Sequence, residues 1–461
     1  MSDFDLVVTG RIVLLDQILE NGFIAVRDGT IAMIGQGRPP AAKDRQDFGN
    51  GIVLPGAVDA QVHSLSQKGA EGFAASTRAA AAGGVTTIVD MPYDEGDLIC
   101  SAAAVKRKAA LAEDEARVDV ALYGTILPDE GVMRIAEQAE AGVCAFKFST
   151  FGTDPKRFPR IAPALLREAF DEVAKTGLVA GVHNEDDGYV SDAMAAVKAA
   201  GITDYRAHGL SRPQLAETLA MLQIYETGAE TGCPAHVVHC SVARGYELAR
   251  LYRANGHAAT VECCIHYLVL SEEDDVARIL GKAKCNPPVR GRAERDGIWH
   301  HLAAGNVSMV STDHVSWSED RKSDPEILKN ASGMPGLEVM VPLFVKGALE
   351  HGVSLTMAAR LMADNPAKHF RIDHRKGGLA VGRDADFTVL VDRAKTYDAK
   401  QSQHSVAGWS PYDGMTLPWT VAATWRRGEL VFDGTEVLAA PGSGSFIRPP
   451  ATLGLRGDLH S

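Results

Sequence analysis

Apolar positions along the chain follow two different rhythms. At both ends they alternate with polar ones, in "DLVVTGRIVLL" and "NGFIAVRDGTIAMIG" near the start and in "GGLAVGRDADFTVLVD" and "VAATWRRGELVFDG" near the finish. A period of two predicts half-buried strands, and Asn21-Gly22 and Asp28-Gly29 offer dipeptides suited to tight hairpin turns. Between these ends lie eight compact apolar runs: "GIVLPGAVDAQVH", "VTTIVDMP", "VDVALYGTI", "VCAFKFST", "LVAGVHNED", "AHVVHCS", "ATVECC" and "VSMVSTDH". Helical stretches such as "STRAAAAG", "SAAAVKRKAALAEDEA" and "RPQLAETLAMLQIYETG" separate several of them. Buried strands alternating with helices imply a parallel sheet covered on its faces. Eight repeats favour closure into a TIM-like (β/α)8 barrel, with an open doubly wound sheet as the alternative. The expected organisation is a barrel over residues 53–374 beside a small β-sandwich domain formed by residues 1–52 and 375–461.

Composition narrows the classes. The chain has 461 residues, 46% hydrophobic and 23% charged, enough apolar material for a large core. A net charge of −12 without any basic block argues against nucleic acid or an anionic membrane as partner. Seven scattered cysteines (Cys100, Cys144, Cys233, Cys240, Cys263, Cys264 and Cys285) include no C-x-x-C pair, the usage of a reduced compartment. No apolar segment approaches spanning length and no leader pattern opens the chain. A cytoplasmic protein is the expectation.

Polar residues recur where the apolar runs end, and that end is where barrel enzymes build their sites. They are Asp59, Gln61 and His63 in the first run, Lys147 in the fourth, His183 in the fifth, His239 in the sixth and Asp313 in the eighth. Any one strand-end histidine is more commonly a hydrogen-bonded core residue than a ligand. Lys147, inside "AFKFST", is different, because an ammonium in an apolar strand must be paired or neutralised. Together these nitrogen and oxygen donors suit a divalent ion such as zinc or manganese. Other candidates read more simply. Cys240 and the Cys263-Cys264 pair suit small apolar filling, Glu185, Asp186 and Asp187 suit a solvated loop, and His300-His301 suit an exposed helix face. His314 is balanced between orienting Asp313 and packing.

The segments also carry a family resemblance. "VLPGAVDAQVHS" resembles the first-strand signature of the cyclic amidohydrolases, P-G-x-x-D-x-H-x-H, and "GGVTTIVDMP" resembles their second strand. "ATVECCIHYLVLSEED", "KCNPPVR" and "STDHVSW" follow in the same order, then "GMPGLEVMVPLF", "NPAKHFRI" and "KGGLAVGRDADFTVL". The group includes hydantoinases, dihydropyrimidinases, allantoinases and dihydroorotases. The resemblance implies metal-dependent hydrolysis of a C–N bond in a small cyclic amide, imide or ureide, and assembly as a homodimer or homotetramer. It implies a carboxylated lysine at Lys147 bridging two metal ions, ligands at His63, His183, His239 and Asp313, a proton-shuttling role for Asp313, and substrate contacts from His266 and Asn286.

Two departures qualify it. Gln61 stands where the signature has its first histidine, and a neutral amide oxygen is a weak donor. A single ion on Lys147, His183 and His239, a binuclear site with Gln61 as a poor ligand, and a metal-free protein with an assembly or binding role all fit. A deaminase is disfavoured because it has no need of Lys147. Leu65 replaces the arginine with which dihydroorotases grip a carboxylate, Arg78 reads as surface charge, and Gly152 replaces a tyrosine of hydantoinases. Dihydroorotate is therefore disfavoured, and allantoin-like ureides and other small cyclic amides remain.

Overall fold

A computed structural model describes residues 3–67, 69–402 and 404–450. Four strands open the chain: β1 (Phe4–Val13), β2 (Ile18–Arg27), β3 (Thr30–Gln36) and β4 (Ala42–Pro55). Asp28, with φ of 51°, and Gly29, with φ of 73°, turn β2 into β3, a conformation that Asp and Gly tolerate best. Asn21-Gly22 does something other than the expected turn. Asn21 has φ of 52° inside β2, where the pairing slips from Gly10↔Gly22 to Ile12↔Leu19, so this dipeptide makes a β-bulge. The β1–β2 hairpin closes earlier, where the Leu14 N–H donates to the Gln17 carbonyl.

Gly56 alone separates β4 from the barrel. Eight buried strands follow: β5 (Ala57–Val62), β6 (Val85–Asp90), β7 (Asp119–Gly124), β8 (Ala145–Ser149), β9 (Val179–His183), β10 (Ala235–Val237), β11 (Ala259–Cys264) and β12 (Met309–Ser311). They pair in parallel in chain order. The ring closes where the His63 N–H donates to the His314 carbonyl at 3.0 Å, bridging the ends of β5 and β12. Each apolar run of the sequence contains one of these strands, and its fully apolar character is that of strands covered on both sides. Helices cross between successive strands. Pro163–Thr176, for instance, buries Leu166, Ala169, Phe170 and Val173, positions spaced three and four apart.

The chain then returns through β13 (Phe387–Thr396), β14 (Thr416–Arg426) and β15 (Glu429–Phe432). Strand β13 lies against β4, which makes one seven-stranded sheet in the order β15-β14-β13-β4-β1-β2-β3. The two alternating ends of the sequence thus share a sheet. A buried charge cluster ties this sheet to the barrel floor. Lys376 Nζ lies 2.7 Å from Asp386 and 2.8 Å from Asp384 and also pairs with Asp119 at the start of β7, which Arg427 contacts from the other side. Asp119, Asp384 and Asp386 come close enough together to suggest a cation site. The lysine ammonium already stands among them, and no metal need be invoked there.

Candidate functional site

Side chains at the C-terminal ends of the strands converge. Residues two apart on β5 share a face, so Asp59, Gln61 and His63 all turn toward β12. Asp59 lies deepest. Its carboxylate accepts from the Thr312 N–H (3.0 Å), the Thr312 hydroxyl (2.5 Å) and the Gln61 N–H (3.2 Å). Burial nevertheless pushes its pKa up to about 7. Above it, Asp313 Oδ1 accepts from Gln61 Nε2 at 2.9 Å and lies 3.2 Å from His63 Nε2. His63 is steadied by Ser66 Oγ, 2.7 Å from its Nδ1.

Asp313 and His239 both lie just beyond their strands with positive φ, 48° and 39°. For non-glycine residues this is strained backbone that persists only when its surroundings hold it. Here buried carboxylates do so. Asp59 clamps Thr312, and Glu262 on β11 accepts from the His239 N–H (3.3 Å) and from the Ser311 hydroxyl (2.7 Å). Burial raises Glu262 to about 7.

Lys147, on β8, is 3% exposed, and among the described residues its Nζ donates to the Phe148 carbonyl at 3.4 Å. Burial lowers its pKa to about 7, against the pull of Asp313 and Glu262. On the next two strands, His183 Nδ1 and His239 Nε2 are 3.0 Å apart with their rings at 72°. His183 donates its Nε2–H to Glu185 at 2.8 Å, leaving the Nδ1 lone pair to face His239. His266, 1% exposed, has neither ring nitrogen hydrogen-bonded to another side chain, and burial lowers its pKa to about 4. Asn286 stands half-buried on the loop beyond, accepting from the Ser332 hydroxyl at 3.2 Å. Phe158 lies 4.3 Å from Tyr93 and 6.1 Å from His63 between ring centroids, which gives this side of the mouth an apolar wall.

His183 and His239 have the spacing of two ligands on one divalent ion. Two nitrogens at about 2.0–2.1 Å from a tetrahedral zinc would lie roughly 3.3 Å apart, close to the 3.0 Å between His183 and His239. Among the described residues, the Lys147 amine has no carboxylate partner and the buried Gln61 Oε1 has no donor.

The structure corrects several expectations. Glu185 does not belong to a solvated loop. It is fully buried between His183 and Arg212, and although burial opposes its charge, these partners bring its carboxyl down to about 2. Asp186 caps the helix Asp187–Ala199 by accepting from the Tyr189 N–H at 2.7 Å. Arg78 is half-buried and donates to the His404 carbonyl at 2.7 Å. His301 lies buried against Tyr246, and only its neighbour His300 is exposed. His314 turns away from Asp313, pairing with Glu71 and accepting from the Gly336 N–H at 3.1 Å. Sequence reasoning also passed over Arg290 and Glu217, a buried pair at 2.6 Å that continues the Glu185–Arg212 network beneath Ser241. The cysteines of the seventh run are buried filling, as expected.

Comparison with known proteins bears on the fold and the family. Residues 52–431 match the family model described as amidohydrolase family. The chain is 35% identical over 461 residues to an allantoinase of Rubrobacter xylanophilus, covering 99% of this chain and all of that one. It is 33% identical to an allantoinase of Solibacter usitatus over 95% of each chain. Among solved structures, an L-hydantoinase (dihydropyrimidinase) from Arthrobacter aurescens superposes with a TM-score of 0.93 at 31% identity, over 96% of this chain and all of that one. By barrel, accessory sheet and full-length similarity, the chain belongs to the amidohydrolase family, in its cyclic-amidohydrolase branch with the allantoinases and hydantoinases.

Proposed function

We propose that this protein hydrolyses a C–N bond in a small cyclic amide, imide or ureide, with an allantoin-like or hydantoin-like ring as substrate. The observation that carries the reading is the convergence of Lys147, His183 and His239 with Asp313 at one mouth of the barrel. Lys147, His183 and His239 would hold a divalent cation such as zinc, with His63, Asp313 and the Gln61 oxygen on the opposite flank. When bound, the cation polarises the ring carbonyl and acidifies water.

The chain's own groups supply the remaining chemistry. Asp313 accepts the proton released as water forms its bond to the ring carbon, then delivers it to the ring nitrogen as the C–N bond breaks. His63 and Gln61 hold the Asp313 oxygen in place during both transfers. His266 and Asn286 would contact the ring amide, and Phe158 and Tyr93, packed ring to ring, would shield one side from water. Lys147 is suited to carboxylation. Burial and the want of an anionic partner favour its neutral amine, which can attack carbon dioxide and release a proton to form a carbamate.

Protein purified without chelator, analysed for metal and assayed on allantoin, hydantoin and dihydrouracil, tests the reading. Turnover of at least one ring that depends on a divalent ion is expected. Metal-free protein that turns over none of them after zinc or manganese is added back would sink it.

Glu185 has a defined part in this scheme. Its carboxylate fixes the tautomer of His183 and raises the basicity of Nδ1, and partners of this kind typically alter metal affinity about 10–100-fold. Glu185→Gln keeps the shape but removes the charge and leaves Arg212 unmatched. Competition against a chromophoric chelator should show an affinity loss in that range, and an unchanged dissociation constant would refute the role.

A further inference from the structure

We infer that this site holds one divalent cation per chain, on the Lys147–His183–His239 flank, and that Gln61 is the residue that prevents a second ion from binding beside Asp313. This deepens the hydrolase reading and rests on it. The two flanks differ in what they offer. One presents two imidazole nitrogens 3.0 Å apart, with His183 already oriented by Glu185, and a buried amine alongside whose hydrogen bond is to the Phe148 carbonyl. The other presents one imidazole, one carboxylate oxygen and an amide whose Nε2 donates to that carboxylate at 2.9 Å.

The amide decides the matter. A carboxylate oxygen accepts only, so Gln61 turns its N–H toward Asp313, and all it can offer a metal is its free Oε1, a neutral amide oxygen in the place of an imidazole. Turning the amide over would bring its oxygen against the Asp313 oxygen inside a nearly closed site, where Gln61 is 1% and Asp313 8% exposed. A cation beside Asp313 would receive from Gln61 only that neutral oxygen, and would compete with the Gln61 and His63 N–H groups for the Asp313 carboxylate. Zinc-like ions prefer imidazole and thiolate nitrogen and sulfur to neutral oxygen. Asp313 meanwhile needs no second ion to hold it. Gln61 and His63 bind the same oxygen, Asp59 clamps the preceding Thr312, and the carboxylate stays in place at its strained φ of 48°.

The test counts ions in the full-length protein. Chelator-free protein is titrated with manganese(II) or zinc(II), and metal per chain is read by elemental analysis and native mass spectrometry. The electron paramagnetic resonance spectrum of the manganese form distinguishes isolated from spin-coupled ions. Wild-type protein is expected to take one tight ion with an uncoupled spectrum, and Gln61→His a second, spin-coupled one. Gln61→Glu supplies an anionic ligand of nearly the same size and should also recruit the second ion, which guards against a histidine that fails to fit. Two tight ions in the wild type, or one ion in all three proteins, would overturn the inference while leaving the hydrolase reading intact. No tight ion in the wild type would remove the hydrolase reading itself.

Discussion

Asp313→Asn is expected to lower kcat by about three to four orders of magnitude while leaving the metal content unchanged. Under the proposed hydrolysis Asp313 alone takes the proton from water and returns it to the leaving nitrogen, and a positioned acid–base group is worth about 10²–10⁴-fold. Asparagine keeps the size and one oxygen acceptor, so the bond from Gln61 Nε2 can survive on the same strained backbone. What disappears is basicity. The His183–His239 pair lies on another flank and does not touch the substituted group, so an ion held there should remain. A purely architectural Asp313 would give a different result, with a lowered melting temperature and kcat reduced only in proportion to the unfolded fraction. Steady-state kinetics beside elemental analysis and thermal melts separate the two. A variant with near-normal kcat would remove Asp313 from the mechanism.

The barrel was legible because each of its strands is a short apolar run, and the polar residue ending such a run has few places to go. Asp59, Gln61, His63, Lys147, His183, His239 and Asp313 could be found this way, since alternation and strand ends are local properties of sequence. Their consequences are not local. Nothing near Glu185 reveals that Arg212 folds back onto it, so an acidic run after His183 looks solvated when one member is buried and its neighbour is a helix cap. Nothing near Asn21-Gly22 tells a hairpin turn from a bulge, because both need positive φ, and the pairing register with β1 chooses. His301 was misplaced for a related reason. Its helix packs Ile298, Trp299 and Leu302 inward, and His301 lies on that side. Ring closure between His63 and His314 and the strained φ of Asp313 and His239 follow from fitting eight strands together, which no window of sequence contains.

Lys147→Met should abolish both metal binding and turnover while leaving the metal-free fold intact. Methionine is unbranched, similar in length and wholly apolar, so it fills the same buried strand position without a large cavity. The native amine gains little there, since it donates to one carbonyl at 3.4 Å and no carboxylate among the described residues pairs with it directly. A buried amine without partners is a liability to a fold, and a residue kept only for stability would sooner be apolar. The metal-free variant should therefore melt at least as high as metal-free wild type. Its losses should appear elsewhere. With no amine there is nothing for carbon dioxide to carboxylate, and two imidazoles alone are an incomplete set for a tetrahedral ion. Metal content should fall to background, and activity with it, below the level left by Asp313→Asn because the ion as well as the proton shuttle is gone. Intact-mass measurement of the wild type under native conditions should in addition show the added mass of one carbon dioxide, absent from the variant. A Lys147→Met protein that retains its ion and its turnover would show that the amine at the heart of the barrel takes no part in the chemistry.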